Sequence, residues 1–263
     1  MGSTQPPSPL DADDIRRRLN QPQLPLAVEP SVGSTNTRLA QRRDHGEALS
    51  VLLAEHQSAG RGRHGRQWLS PPGCGLYLSM AREFTRPAAK LSALSLVAGL
   101  AAADAVARHS GIQVGLKWPN DLQVDGKKLG GCLIDLKQAG PRACLAILGI
   151  GINVDLGQIE GPDQPWTDLV REGGSKDRNQ LASLLIDSLQ RDLALWDRAG
   201  FDALRARWDA HDVLRGRIVR LSGGEAAIEG RSAGVDHDGA LLLQTGDGMR
   251  TIHAGEISVR AVR

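Results

Sequence analysis

The segment Gly60-Arg61-Gly62-Arg63-His64-Gly65-Arg66-Gln67-Trp68 sets three arginines among three glycines, and no Asp or Glu stands between Glu55 and Glu83 to neutralise them. Glycine lets a backbone approach a ligand closely and arginine offers a planar fork of donors, so the run is suited to holding a carboxylate or a phosphate. Read alone, it fits a solvated basic turn or an Arg/Gly nucleic-acid segment as well. Lys117-Trp118-Pro119-Asn120-Asp121 offers a cation, an amide and a carboxylate within five residues. That set orients phosphates and a divalent ion, although Pro-Asn-Asp also makes an ordinary strand-to-turn junction. Lys128-Leu129-Gly130-Gly131 puts a lysine beside small residues, where it reaches a carboxylate or phosphate or else is a surface lysine near a bulge. Gly149-Ile150-Gly151-Ile152-Asn153 interrupts an apolar run twice with glycine, which costs strand stability unless something approaches the backbone there.

The elements that must carry these clusters follow from periodicity and punctuation. Ser34 is a good N-cap for a helix predicted over Thr35–Arg43 and ended by Gly46, and Leu49–Glu55 reads as a buried strand leading into the Gly/Arg loop. Leu76–Glu83 is the strand after it, and the Ala/Leu-rich segment Ala88–His109 is a helix closed by Gly111. Gly115–Trp118 reads as a strand end. Val124-Asp125-Gly126-Lys127 carries the signal of a tight hairpin into a strand over Leu129–Leu136, and Ala143–Val154 is another strand. Leu181, Leu184, Leu185, Leu189 and Leu193 give the amphipathic spacing of a helix over Asn179–Asp197, followed by one over Phe201–His211.

From Leu214 the texture changes to short β-like runs, Arg217–Leu221, Glu225–Val235, Ala240–Thr245 and Arg250–Arg260, separated by glycine-containing turns. They predict a small β-barrel of about 50 residues, too small for a self-sufficient core and so expected to lean on its neighbour. Upstream, residues 1 to 12 read as a flexible leader, Asp13–Asn20 as a short charged helix, and the rest through Pro30 as a Pro-punctuated connector. The expected organisation is a leader over 1–30, a mixed α/β domain over 31–213 and the barrel over 214–263.

Composition narrows the function classes. With 263 residues, 32 Lys+Arg against 30 Asp+Glu, 41% hydrophobic and 24% charged, the chain is neither polybasic nor of the disordered type. The near-neutral balance and the lack of aromatics around the Arg/Gly loop weigh against a nucleic-acid-binding module. Cys74, Cys132 and Cys144 cannot all pair and show no metal spacing, so they read as small buried residues of a reduced, cytoplasmic chain. The polar, Pro-rich amino terminus has no signal-peptide core, and the longest apolar stretch, Leu91–Ala107, holds Ser92, Ser95 and Asp104 and reads as a buried helix, with no membrane partner. Of five Trp, Trp196 and Trp208 fall on helices and are expected in the core.

Together with Ser34-Thr35-Asn36, the GRGRxGRxW loop, KWPND, KLGG and GIGIN in this order resemble the biotin protein ligase family, also called biotin–[acetyl-CoA carboxylase] ligase, from Ser31 to Arg263. The resemblance implies a mixed α/β catalytic domain related to class II aminoacyl-tRNA synthetases, followed by an SH3-like barrel. It implies that biotin and Mg-ATP give biotinyl-5′-AMP and pyrophosphate, and that the acyl-adenylate then modifies one lysine of a biotin carboxyl carrier protein. Carried over by position, Ser34, Thr35, Asn36 and Gln57 resemble the polar contacts to the biotin head group. Gly131, Leu133, Gly149 and Ile150 resemble the floor under its apolar tail. Gly60, Arg61 and Arg63 belong to the loop that holds the carboxylate and the adenylate phosphate, and Lys128 is similar to the lysine at the reacting groups. Lys117, Asn120, Asp121 and Asn153 fall on the nucleotide side, with Asp121 as the implied metal contact. Trp68 is similar to the aromatic that folds over the intermediate, and Trp166 to the one that packs on adenine.

No side-chain nucleophile is needed in such a reaction. Some members begin with a winged helix-turn-helix, which does not fit in the 30 residues before Ser31, so sequence-specific DNA binding is not expected. Members often dimerise through the central sheet, which leaves a homodimer open. The alternative is a lipoate or octanoate protein ligase or transferase of the same fold, whose substrates need no ureido-matched polar set.

Overall fold

Strand residues alternate between two faces of a sheet, and in this chain both faces are covered. The computed structural model describes residues 8–140, 142–157, 164–222, 227–254 and 258–261. Its centre is the pair β3 (Gly75–Phe84) and β7 (Ala143–Asn153), hydrogen-bonded antiparallel from Gly75↔Asn153 to Phe84↔Cys144. β2 (Val51–Ala54) lies beside β3 and β6 (Lys127–Gly140) beside β7. Adding β1 (Leu26–Glu29), β4 (Gly115–Lys117) and β5 (Asp121–Val124) completes seven strands in the order β1-β2-β3-β7-β6-β5-β4, with only β1 and β2 parallel.

The alternation sorts the core into two clusters. Leu52, Leu145 and Ile147 pack with Leu39 of helix α2 (Thr35–Asp44) on one face. Val51, Leu53, Ala146 and Leu148 join the larger cluster under α3 (Leu94–Ser110) and α4 (Arg178–Ala199) on the other, with α5 (Asp202–His211) behind them. Trp196 and Trp208 are buried in that cluster, as their helical positions predicted.

Three expectations change in the structure. The predicted Ala88–His109 helix begins only at Leu94, after a 3-10 turn at Ala88–Lys90. Tertiary contact overrides propensity there: Ser92 Oγ donates to Asp238 O at 2.8 Å, and Ala93 packs on Gly239 of the C-terminal domain. Second, the connector between Pro25 and Pro30 contains β1, an edge strand whose flanking prolines masked it. Third, the leader is packed from Ser8 onward. Helix α1 (Ala12–Arg18), capped by Asp11, buries Ile15 completely, and Leu10 and Leu19 join the core. The buried Arg178 guanidinium donates to Ser8 O at 2.7 Å and pairs with Glu55 at 2.6 Å, stitching this segment to the end of β2. Residues 1–7 lie outside the described residues.

The C-terminal domain is the small antiparallel SH3-like unit expected, with five strands where the sequence shows four runs because Arg250–Arg260 divides into two, in the order β11-β10-β9-β8-β12: β8 (Ile218–Ser222), β9 (Ile228–Val235), β10 (Leu241–Thr245), β11 (Gly248–Ile252) and β12 (Ser258–Ala261). Residues 225–226 and 255–257 of the predicted runs fall outside the described residues. The domain does lean on its neighbour: Val219, Leu221, Leu241, Leu243 and Val259 belong to the same apolar cluster as α3 and α4, and Trp118 Nε1 donates to Gly239 O at 3.0 Å. Among the described residues, no helix is long and apolar enough to cross a membrane.

Candidate active site

The N-terminus of α2, the loop after β2, the β4–β5 turn, the start of β6, the end of β7 and the segment at Trp166 converge on one cleft. One end is neutral and buried. Ser34, Thr35 and Asn36, on the first turn of α2, are all more than nine-tenths covered. Thr35 N–H donates to Gln57 Oε1 at 2.8 Å, and Gln57 Nε2 donates to Ser70 Oγ at 2.9 Å. Ser79 Oγ, fully buried on β3, lies 2.8 Å from Thr35 Oγ1 and 2.6 Å from Asn36 Oδ1. Asn36 Nδ2 donates to Leu133 O at 3.2 Å and to Asp135 Oδ2 at 2.9 Å. Gly149 makes room for this: a Cβ there would stand 2.9 Å from Asn36 Cγ. The result is a fixed set of donors and acceptors with matched polarity, the type of wall that recognises a neutral polar ring.

The other end is cationic. Among the described residues, Arg61, Arg63, Arg66, Lys117 and Lys128 line it against one lining carboxylate, Asp121. Lys128 Nζ pairs with Asp121 Oδ1 at 2.6 Å and sits 5.5 Å from the Trp68 ring centroid. A bulge at Leu129 aims Lys128: Leu122 pairs with Gly130 but Gln123 with Lys128, so one residue of β6 is extra. Arg63 Nη1 is 3.5 Å from Asn120 Oδ1, and Nη2 donates to Ala254 O of the C-terminal domain. Burial draws the Arg63 guanidinium down from its ordinary value, while the Asp121 charge acts the other way. Arg61 pairs with Asp135, tying the loop to the neutral end.

The Gly/Arg loop is folded into the cleft. Gly62 N–H donates to Arg66 O at 2.7 Å and Trp68 N–H to Gly60 O at 2.9 Å, while His64 takes a left-handed conformation at φ 57°. The Trp68 indole lies on Gly151, where a Cβ would come within 2.7 Å of it. Its buried Nε1–H has no partner among the described residues, a donor that a ligand oxygen would satisfy. Trp166 stands across from Lys128. Their backbones bridge through Lys128 N–H to Pro165 O and Thr167 N–H to Lys128 O, both 2.9 Å, and Asn153 Nδ2 donates to Thr167 O at 2.9 Å.

Residues 28–153 match the biotin/lipoate A/B protein ligase family, and residues 215–260 match the biotin protein ligase C-terminal domain. A bifunctional ligase/repressor of Escherichia coli is 37% identical over 238 residues, 90% of this chain and 74% of its own length. A biotin–[acetyl-CoA-carboxylase] ligase of Mycobacterium tuberculosis is 35% identical over 261 residues, 95% of each chain. The chain belongs to the biotin protein ligase family. A solved biotin protein ligase from Aquifex aeolicus, in complex with biotin and ATP, superposes with a TM-score of 0.76 at 31% identity and covers 90% of this chain and 99% of its own.

In this family member the cleft gathers nearly every residue singled out from the sequence: Ser34, Thr35, Asn36, Gln57, Arg61, Arg63, Trp68, Lys117, Asn120, Asp121, Lys128, Gly131, Leu133, Gly149, Ile150, Asn153 and Trp166. Gly60 is the departure. It is not among the residues that line the cleft, and a Cβ there would collide with Trp68 O, so the glycine lets the loop return on itself. Cys132 and Cys144 are buried as expected but Cys74 is half-exposed; burial pushes the Cys132 thiol up to about 12, which leaves no thiolate there to attack. Sequence reasoning missed Ser79, Asp135 and Trp118. Ser79 alone carried a signal, as the one serine in the apolar run of β3, whereas the other two depend on pairing across the fold.

The donor chemistry fits magnesium only in a shared form. No group of three His, Cys, Asp or Glu among the described residues could hold a metal by itself. Asp121, beside Asn120, suits an ion that takes most of its ligands from phosphates and water.

Proposed function

We propose that this enzyme joins biotin to one lysine of a biotin carboxyl carrier protein through biotinyl-5′-AMP, using ATP. The observation that carries the reading is the division of one cleft into a buried neutral polar end and a cationic end, the latter holding the Lys128–Asp121 pair at 2.6 Å, with Trp68 lying over Gly151. The ureido ring of biotin has donors and acceptors for Thr35, Asn36 and Gln57, and its apolar tail would run over Gly131, Leu133 and the Gly149–Gly151 strand. A dithiolane or alkyl chain would leave that buried polar set unmatched, which disfavours lipoate and octanoate.

Adenylation brings two anions together, and fixed cations are what make that possible. Arg63 and Lys128 hold the biotin carboxylate and the α-phosphate at one point. A carboxylate oxygen attacks the α-phosphorus and pyrophosphate leaves. Bound magnesium supplies charge neutralisation on the phosphates, with Asp121 and Asn120 as the residues that would face it. Trp68 and the loop shield the mixed anhydride from water until the acceptor amine attacks its carbonyl carbon and AMP leaves. Trp166 offers a flat face to the adenine. The described residues before β1 hold one seven-residue helix, so the reading includes no operator binding by them.

The test is to incubate the protein with biotin, ATP, magnesium and a carrier domain and to follow the carrier by intact mass. One biotinyl addition, abolished by replacing the acceptor lysine, supports the reading. Unmodified carrier beside an active control ligase overturns it.

A further inference from the structure

Arg171 lies outside the residues that line the cleft, yet its guanidinium carbon sits 3.9 Å from the centroid of the Trp166 ring, which does line it. The cation therefore packs on the indole from a residue that does not itself line the cleft, so a planar guest in the cleft would meet the opposite face. Arg171 is itself held in place. Its Nη2 donates to Gly157 O, its Nε lies 3.4 Å from Asp168 Oδ2, and its backbone N–H donates to Asp168 Oδ1 at 2.8 Å. Asp168 is fully buried and also accepts from Leu156 N–H at 3.1 Å, so the clamp has a rigid base. On the far side, the two backbone hydrogen bonds between Lys128 and the Pro165–Thr167 segment fix the distance from this stack to the reacting lysine.

We infer that Arg171 is a positioning residue for the nucleotide: it backs Trp166 in a three-layer stack of guanidinium, indole and purine and sets the plane on which the base is received. This rests on the reading of Trp166 as the base platform. A guanidinium stacks on an indole face both as a plane and as a cation, and it costs nothing to reorganise when the third layer arrives. Glutamine keeps a flat donor group without the charge, and lysine keeps the charge without the plane, so the three properties separate.

The experiment measures KM for ATP and for biotin in steady-state pyrophosphate release by the full chain, with magnesium and a saturating carrier domain so that the enzyme turns over, for Arg171→Ala, Arg171→Gln, Arg171→Lys, Trp166→Ala and the Trp166→Ala/Arg171→Ala double variant. Arg171→Ala is expected to raise KM for ATP roughly three- to tenfold with KM for biotin unchanged, as the loss of one stacked cation allows. The glutamine and lysine variants should fall between it and the parent. In the Trp166→Ala background the second substitution should add nothing, because Arg171 acts through the ring it backs. An equal rise in both KM values, or a further full increase in the double variant, overturns the inference while leaving the platform intact. If Trp166→Ala itself leaves KM for ATP unchanged, the platform reading fails and the inference falls with it.

Discussion

A methyl group at Gly149 is the smallest change that should disable the neutral end of the cleft. An added Cβ would lie 2.9 Å from Asn36 Cγ and 3.1 Å from its Nδ2, with Oδ1 closer still. Relaxed contacts sit at about 3.5–4.0 Å, so the amide must retreat by about an ångström. Asn36 is 3% exposed and held at 2.6 Å to Ser79, 2.9 Å to Asp135 and 3.2 Å to Leu133 O, and these bonds cannot all survive such a move. Losing two of them, at about 1 kcal/mol each with a further 1–3 kcal/mol for a buried group left unpaired, predicts a cost of roughly 3–5 kcal/mol in holding this wall ready for biotin, or about 150- to 4,000-fold in Kd. Titration calorimetry with biotin on Gly149→Ala reads this directly. Asn36→Ala combined with Gly149→Ala supplies the control, because without the amide there is nothing to collide with, and the double variant should lose no more than Asn36→Ala alone. Parent-like biotin affinity in Gly149→Ala, or fully additive losses in the double variant, would refute the assigned contact.

Other perturbations bear on the cationic end, the loop and the junction with the C-terminal domain. Lys128→Ala removes a fixed cation from the reacting groups and leaves Asp121 unpaired; single-turnover adenylate formation at saturating biotin and ATP should fall about 10²- to 10³-fold, and an unchanged rate would contradict the role. Gly151→Ala should unseat Trp68, since the methyl would stand 2.7 Å from its ring, and so speed the escape of biotinyl-AMP in a chase experiment; an unaltered release rate counts against loop closure. Asp212, at the junction of α5 with the C-terminal domain, has its carboxyl held above the ordinary 3.8 by burial, with Oδ2 unpartnered among the described residues. A raised value in the folded state means that stability is complete below 3.8 and lost as pH rises through the folded value. Asp212→Asn keeps an acceptor for the Leu214 N–H and should raise Tm at neutral pH, by roughly 2–4 °C per kcal/mol relieved, with the gain vanishing in acid. Thermal melts across pH check this, and a gain independent of pH would contradict it.

The sequence was most legible where local chemistry and local structure coincide. Gly/Arg alternation, KWPND and the two strand glycines each mark a place where backbone must come close to something, and the structure brings all of them to one cleft. Amphipathic spacing located α4 to within a residue or two at each end. What stayed hidden depends on partners distant in the chain. β1 is a four-residue edge strand between prolines, and its strand character comes from pairing with β2. The late start of α3 follows from the contact of Ser92 and Ala93 with the C-terminal domain. Trp118 sits inside a motif that reads as nucleotide chemistry, yet its indole donates to Gly239 O and joins the two domains. Arg61–Asp135 pairs residues on different segments, and Arg171–Trp166 pairs residues five apart in an irregular segment, so no helix or strand spacing links either pair.

On the proposed function, the cleft activates biotin rather than a related acid. The most direct test is pyrophosphate release from ATP with magnesium and no carrier present, run in parallel with biotin, lipoate and octanoate. Release with biotin alone, limited to one equivalent per enzyme while the adenylate stays bound, is the predicted result. Release only with lipoate or octanoate, or none with biotin, would contradict the account.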